Sequence, residues 1–285
     1  MDTFSIHGSL RAPLRRIISL APSITELLFF LGMGNSVVGL TRQCNYPEAV
    51  RDKEVIGSLI MPDAKRILEL SPDAVIGLTD LHRHVPDIIR TDDTSVILLD
   101  YQTVQDILGI MEAISSLAVE PTTGMEITAS CRQRVDSLRE GNTGNRKTRT
   151  LFLITESPIM TPSRNSYQYD AMRIAGAAQL PTGYTKYERV TLEEVAHFDP
   201  EVILACGRHR NDPLPGMCPD CHSPNPVCQR IAEDIAEKPV WKDTSAAKTG
   251  TIVPVPCHWL CRPGPRLING MESIAEIIRR FEHNS

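Results

Sequence analysis

Three cysteines crowd the stretch CPDCHSPNPVC, from Cys218 to Cys228, and Cys206 lies a short way upstream. Thiolates two residues apart can reach one metal ion, because the turn between them aims both sulfurs at a common centre. Cys206, Cys218, Cys221 and Cys228 therefore form a candidate four-thiolate set. It would suit a structural zinc ion or an iron–sulfur cluster equally. Disulfides or unmodified thiols remain open for the same residues. A second grouping, Cys257, His258 and Cys261 with Cys44, has the softness to take a transition metal, and His82 and His84 could join it.

The bulk of the chain frames these residues. Of 285 residues, 41% are hydrophobic and 23% charged, a globular composition with ample core material. A net charge of -5 and the lack of a basic block argue against a nucleic-acid partner. No apolar run approaches the length of a membrane span. The opening MDTFSIHGSLRAPLRRIISL lacks a signal-peptide pattern, so a cytoplasmic location is expected, or a periplasmic one if a leader has been removed. In such a chain, eight cysteines read more naturally as thiols or ligands than as a disulfide framework.

The elements follow from periodicity. IISLAP from Ile17 is a buried strand, and SITELLFFLG is an apolar helix with Ser23 and Glu26 at capping-box spacing, stopping at Gly32 and Gly34. SVVGLT is the next strand, so the chain opens β–α–β and implies a parallel sheet. An internal echo is more telling. DAKRILELSPDAVIGL (63–78) and TLEEVAHFDPEVILAC (191–206) each give a short helix, a proline with an acid, and a buried strand. Ile67 matches Val195, Pro72 matches Pro200, Asp73 matches Glu201, and Val75 matches Val202 with one residue of slack. TLFLIT precedes the second copy much as IISLAP precedes the first. Two α/β lobes are expected. Between them, Val104, Ile107, Leu108, Met111, Ile114 and Leu117 share one helical face, and Thr123 with Glu126 opens a further helix. The expected organisation is an N-terminal extension (1–15), an α/β lobe (16–120), a linking helix (121–142) and a second α/β lobe (143–285) carrying a cysteine-rich insertion (206–228).

In open parallel sheets, ligands bind beyond the carboxyl ends of the strands. That rule selects Pro22 and Ser23 after the first strand, and Arg42, Cys44 and Tyr46 after the second. It also selects His82 and His84 after the third. In the second lobe it selects the segment through Arg164, the loop from Cys206, and Cys257, His258, Trp259 and Arg262. Seven of the eight cysteines fall on this side, Cys131 being the exception.

These segments taken together resemble a known family. RIISLAPSITELLFFLG, VVGLTRQCNYP, ILELSPDAVIG, VTLEEVAHFDPEVIL and RPGPRLINGMESIAEII are similar, in order and spacing, to the class III substrate-binding proteins of ABC importers, nearest their cobalamin-binding branch. The resemblance covers Arg16 to Phe281. It implies two Rossmann-like lobes with parallel sheets joined by a single long helix, and a ligand in the cleft between them. In the cobalamin branch that ligand is a flat corrinoid, and by motif Pro22, Tyr46 and Trp259 are its contacts. Aromatic faces suit the task, offering large apolar area at low entropic cost. Cys257 or His258 could then place a thiolate or imidazole on the cobalt.

The family docks on transporter arginines through one acid per lobe. The echo puts Lys65 and Glu193 at those places, so docking is expected to be impaired on the first lobe unless Glu69 or Asp63 substitutes. A corrinoid-binding protein, acting as a cytoplasmic carrier, is the leading expectation. A haem, siderophore or metal-ion binder is the alternative, with Arg42, Arg164, Arg208, Arg210 and Arg262 available for a siderophore. A redox protein using an iron–sulfur cluster on bound corrinoid is a third. No nucleophile–base pair or phosphate loop marks an enzyme.

Overall fold

The structure, a computed structural model, describes residues 3–142, 146–212 and 229–284. The chain divides into two compact units, Met1–Gln133 and Arg134–Ser285.

The first unit contains strands β1 (Phe4–His7), β2 (Ile17–Ser19), β3 (Val37–Leu40), β4 (Glu54–Val55), β5 (Ala74–Leu78) and β6 (Ser95–Leu99). They form one sheet in the order β1-β6-β5-β2-β3-β4. All neighbours run parallel except β1, which pairs antiparallel with β6 and closes that edge. The first residues, expected to precede the lobe as an extension, thus contribute a strand to its sheet. Helices α1 (Pro22–Phe30), α2 (Ala64–Glu69), α3 (Thr79–His82), α4 (Val85–Ile88) and α5 (Val104–Ser116) make the connections. Ile18, Leu20, Ile67, Val75, Val96 and Leu98 form a core cluster. On α5 the expected stripe of Val104, Ile107, Leu108, Met111 and Ile114 is buried, while Leu117, expected with them, caps the helix and is only half-buried.

Two helix starts differ from the sequence expectation. Helix α1 begins at Pro22, with Ala21 as N-cap and no side-chain cap. Proline fixes a helical φ at the first position, so Ser23 and Glu26 sit inside the first turn and a half. Helix α6 (Pro121–Gly141) likewise starts at a proline, placing Thr123 within the helix. At 21 residues it is about 31 Å long. The division between the units falls inside it.

The second unit has a parallel sheet of β7 (Thr148–Leu153), β10 (Ala177–Ala178), β12 (Val202–Cys206) and β13 (Ile252–Val255), ordered β10-β7-β12-β13. A small antiparallel sheet of β8 (Thr155–Glu156), β9 (Ile159–Pro162) and β11 (Tyr187–Arg189) stands beside it. Helices α7 (Tyr167–Ile174), α8 (Leu192–Phe198), α9 (Ala232–Glu237), α10 (Ser245–Thr249) and α11 (Pro265–Asn284) complete the unit. Trp241 is buried in its core with Leu151, Leu153, Ile203 and Ile235.

The internal echo is structural as well as sequential. Ser71 and Asp199 both take positive φ, at 44° and 46°, just before Pro72 and Pro200. The next residue, Asp73 or Glu201, donates its N–H to the carbonyl of Arg16 or Arg149, at 2.8 Å in both units. Its carboxylate then accepts backbone N–H groups from the same neighbouring segment. Asp73 takes those of Arg15 and Arg16 at 2.6 and 2.8 Å, and Glu201 takes that of Arg149 at 2.9 Å. In return Arg16 donates Nε to the Leu70 and Ser71 carbonyls, and Arg149 donates Nε to that of Asp199. Each unit therefore enters its central strand pair through the same clamp. The register pairs Ile17 with Ala74 and Thr150 with Val202, so Ala74, not Val75, is the counterpart of Val202 and no slack is needed.

Candidate functional site

At the carboxyl edge of the first sheet, loops that follow different strands are tied together. His82 is fully buried. Its Nδ1 accepts from Leu78 N at 2.9 Å, so the proton resides on Nε2, which donates to the Leu59 carbonyl at 2.7 Å. Gln43 Oε1 accepts the N–H of the same Leu59 at 2.8 Å. The backbone of one residue thus joins the loops after β3, β4 and β5. Burial, aided by nearby His84, pushes the His82 pKa below the usual imidazole value, so it serves as a neutral brace. That role departs from the metal ligation considered for it, and His84 stands exposed.

Cys44 is also a buried residue, 6% exposed. Its sulfur lies 3.0 Å from Thr25 Oγ1 and 3.4 Å from Thr41 Oγ1, and Thr25 Oγ1 donates to Ser19 Oγ at 2.8 Å. This small polar cluster fixes the loop after β3 against α1. Pro22 and Ser23 are half-buried at the start of α1. Tyr46 is 50% exposed, and Ile60 and Met61, on the loop held through Leu59, are 57% and 78% exposed. Sequence reasoning missed Ile60 and Met61. Their signal was the apolar run Leu59-Ile60-Met61 between Gly57-Ser58 and Pro62, a turn that three core-seeking residues would avoid.

In the second unit, β13 runs into the turn Cys257–Trp259. Trp259 N donates to Pro256 O at 3.0 Å and Cys261 N to Cys257 O at 2.9 Å, which winds the segment tightly. Leu260 anchors it in the core and Arg262 is buried, while Cys257, His258 and Trp259 are half-buried. Gly270 of α11 seats this turn. A Cβ on Gly270 would lie 2.6 Å from both Cβ and the carbonyl oxygen of Trp259. The glycine inside an otherwise regular helical pattern was the available clue to that close approach. Burial, with a smaller effect from Arg266, lowers the His258 pKa and keeps the imidazole neutral.

Cys206 ends β12 and is buried. Arg164 is exposed between β9 and α7. Arg208 turns inward on its own loop, donating to the carbonyls of His209, Arg210 and Asp212, and Arg210 pairs with Asp234 and Glu237. Arg42 is exposed. Cys218, Cys221 and Cys228 lie outside the described residues. Among the described residues, no three His, Cys, Asp or Glu side chains gather as a metal site, and the expectation of zinc or an iron–sulfur cluster finds no support. Nor is any described helix long and apolar enough to cross a membrane.

Each unit centres on parallel strands with candidate ligand-binding residues at the carboxyl edge, an arrangement shared with substrate-binding proteins. The periplasmic binding protein family matches residues 17–256, and the chain belongs to it. Within that family it has the character of the class III substrate-binding proteins. A vitamin B12-binding protein of Vibrio campbellii is 25% identical over 98% of this chain and 94% of its own length. The crystal structure of the periplasmic vitamin B12 binding protein of Vibrio cholerae has a TM-score of 0.75 at 22% identity, covering 95% of this chain and 98% of that one. The periplasmic heme binding protein of Vibrio cholerae has the same fold, with a TM-score of 0.72 at 18% identity over 92% and 98% of the two chains. These likenesses give the expected cytoplasmic carrier no support, since both solved relatives are described as periplasmic.

Proposed function

We propose that this chain binds a corrinoid at the carboxyl-edge loops of its sheets and releases it chemically unchanged. The observation that carries the reading is the Trp259 turn: an indole at the end of a parallel strand, half-exposed and held by a glycine seat. A rigid aromatic face in that setting offers a planar ligand large contact at little entropic cost. Tyr46, 50% exposed after β3, is the aromatic candidate of the first unit's own carboxyl edge. The full-length likeness to a vitamin B12-binding relative supports the choice of ligand class. His258, neutral and half-buried, is the nitrogen donor we assign to the metal at the ligand's centre. Arg262 and Ser23 are candidate polar contacts for side-chain amides on the rim of the macrocycle.

Docking on an importer's arginines is disfavoured at the first unit. Lys65 is 87% exposed where an acid is expected. The nearby acids are engaged: Asp63 caps α2 through Arg66 N, and Glu69 lies 3.9 Å from Lys65 and 3.6 Å from Arg66. Glu193 remains exposed on the second unit.

Absorbance titrations of the purified chain with aquocobalamin, dicyanocobinamide and hemin test the reading. Saturable shifts with the two corrinoids, and recovery of the ligand unaltered by chromatography, are expected. Saturable uptake of hemin with no response to either corrinoid would replace this reading with a haem carrier, the fold being common to both.

A further inference from the structure

Cys206 and Cys261 are brought together by the fold from distant parts of the chain. β12 and β13 are parallel neighbours, and their register sets Cys206 beside Val255. The chain then winds through one tight turn, in which Cys261 N bonds to Cys257 O. That turn returns Cys261 to the end of β12, and the thiols of Cys206 and Cys261 are hydrogen-bonded to each other. Cys206 is buried and Cys261 exposed. We propose that Cys206 and Cys261 are a redox-active dithiol that closes to a disulfide, tying the end of β12 to the turn that carries Trp259.

The pair is asymmetric in a way that suits stepwise exchange. The hydrogen bond from Cys206 holds the Cys261 thiol below its ordinary pKa, although packing around its sulfur works against this, while that same bond, together with burial and nearby Cys257, raises Cys206. Cys261 is therefore the thiolate that meets an external disulfide, and Cys206 is the resolving partner. The oxidant is a low-molecular-weight disulfide. The Cys261 thiolate attacks one of its sulfurs, forming a mixed disulfide and expelling one thiolate. Cys206, giving up its proton, then attacks the Cys261 sulfur and expels the second. Two protein thiols become one disulfide, and the reagent leaves as two thiols with both protons and both electrons. Ligand identity plays no part in this chemistry, so the dithiol stands or falls independently of the corrinoid reading.

Thiol mapping of the full chain provides the test. Reduced protein is exposed to oxidised glutathione, alkylated, digested with trypsin and mapped by mass spectrometry. The expected product joins residues 190–208 to residues 249–266, with fragmentation placing the link on Cys261. It should persist in Cys257→Ser and reopen with dithiothreitol. Cys206→Ser should trap glutathione on Cys261. Cys206 recovered alkylated, or linked to Cys257, Cys218, Cys221 or Cys228, would overturn the proposal, as would a Cys261 that takes up no glutathione in the Cys206→Ser variant.

Discussion

Two glycines in helices show how a single atom decides a residue's worth. Gly109, inside α5, has nothing within 4 Å of where a Cβ would lie. Gly109→Ala should therefore stabilise the chain by up to about 1 kcal/mol through helix propensity alone. Gly270→Ala gains the same propensity but drives a methyl into the Trp259 backbone. Its melting temperature should fall, and cobalamin affinity should fall with it because the indole loses its seat. Thermal melts of both variants, run side by side, check the contrast. His82 gives a pH signature at the same scale. Its folded pKa lies below the unfolded value of 6.5, so the unfolded chain binds the proton more readily. The brace's contribution is complete above that pH and is lost as pH falls through the window beneath it, at no more than about 1.4 kcal/mol per pH unit. Chemical denaturation of wild type and His82→Gln across this range should show a shallower acid slope in the variant; equal slopes would deny His82 the role.

The clamp repeated at Asp73 and Glu201 belongs to the scale of elements. Asp73 accepts two backbone N–H groups just before β2 and Glu201 one from β7, and charged acceptors of this kind contribute about 1.5–3 kcal/mol. Asp73→Ala and Glu201→Ala should each cost a loss of that order. Glu201 should be the more damaging, since it is buried and also receives the guanidinium of Arg146. Urea titrations measure both. This element was legible in the sequence because proline, acid and apolar run recur in one order, and a clamp needs all three. The stripe on α5 was legible for a similar reason, a period of 3.6 being required to bury one helical face. Capping spacing alone points to Ser23 as the start of α1, but the proline one residue earlier takes the first helical position. Less accessible were the contacts made between loops. Nothing local to Gln43, Leu59 or His82 announces that the backbone of Leu59 links them, and nothing around Cys44 distinguishes a peg among hydroxyls from a ligand. Burial and partner are properties of the assembled fold.

At the scale of the whole molecule, we propose Trp259, at the carboxyl edge of the second unit's sheet, as the principal contact for a bound corrinoid. Family membership fixes the architecture, and the proposal draws its chemistry from the half-buried indole and the neutral imidazole beside it. His258→Ala should still bind dicyanocobinamide, whose cobalt is already capped, while losing the spectral shift that imidazole ligation gives aquocobalamin. Difference spectra of the two titrations separate these outcomes. The most direct test is calorimetric titration of wild type and Trp259→Ala with dicyanocobinamide under identical conditions. Loss of about 2 kcal/mol, near thirtyfold in affinity, is predicted for a buried aromatic anchor. Equal affinity in the two proteins, with Trp259→Ala melting as wild type does, would contradict the account.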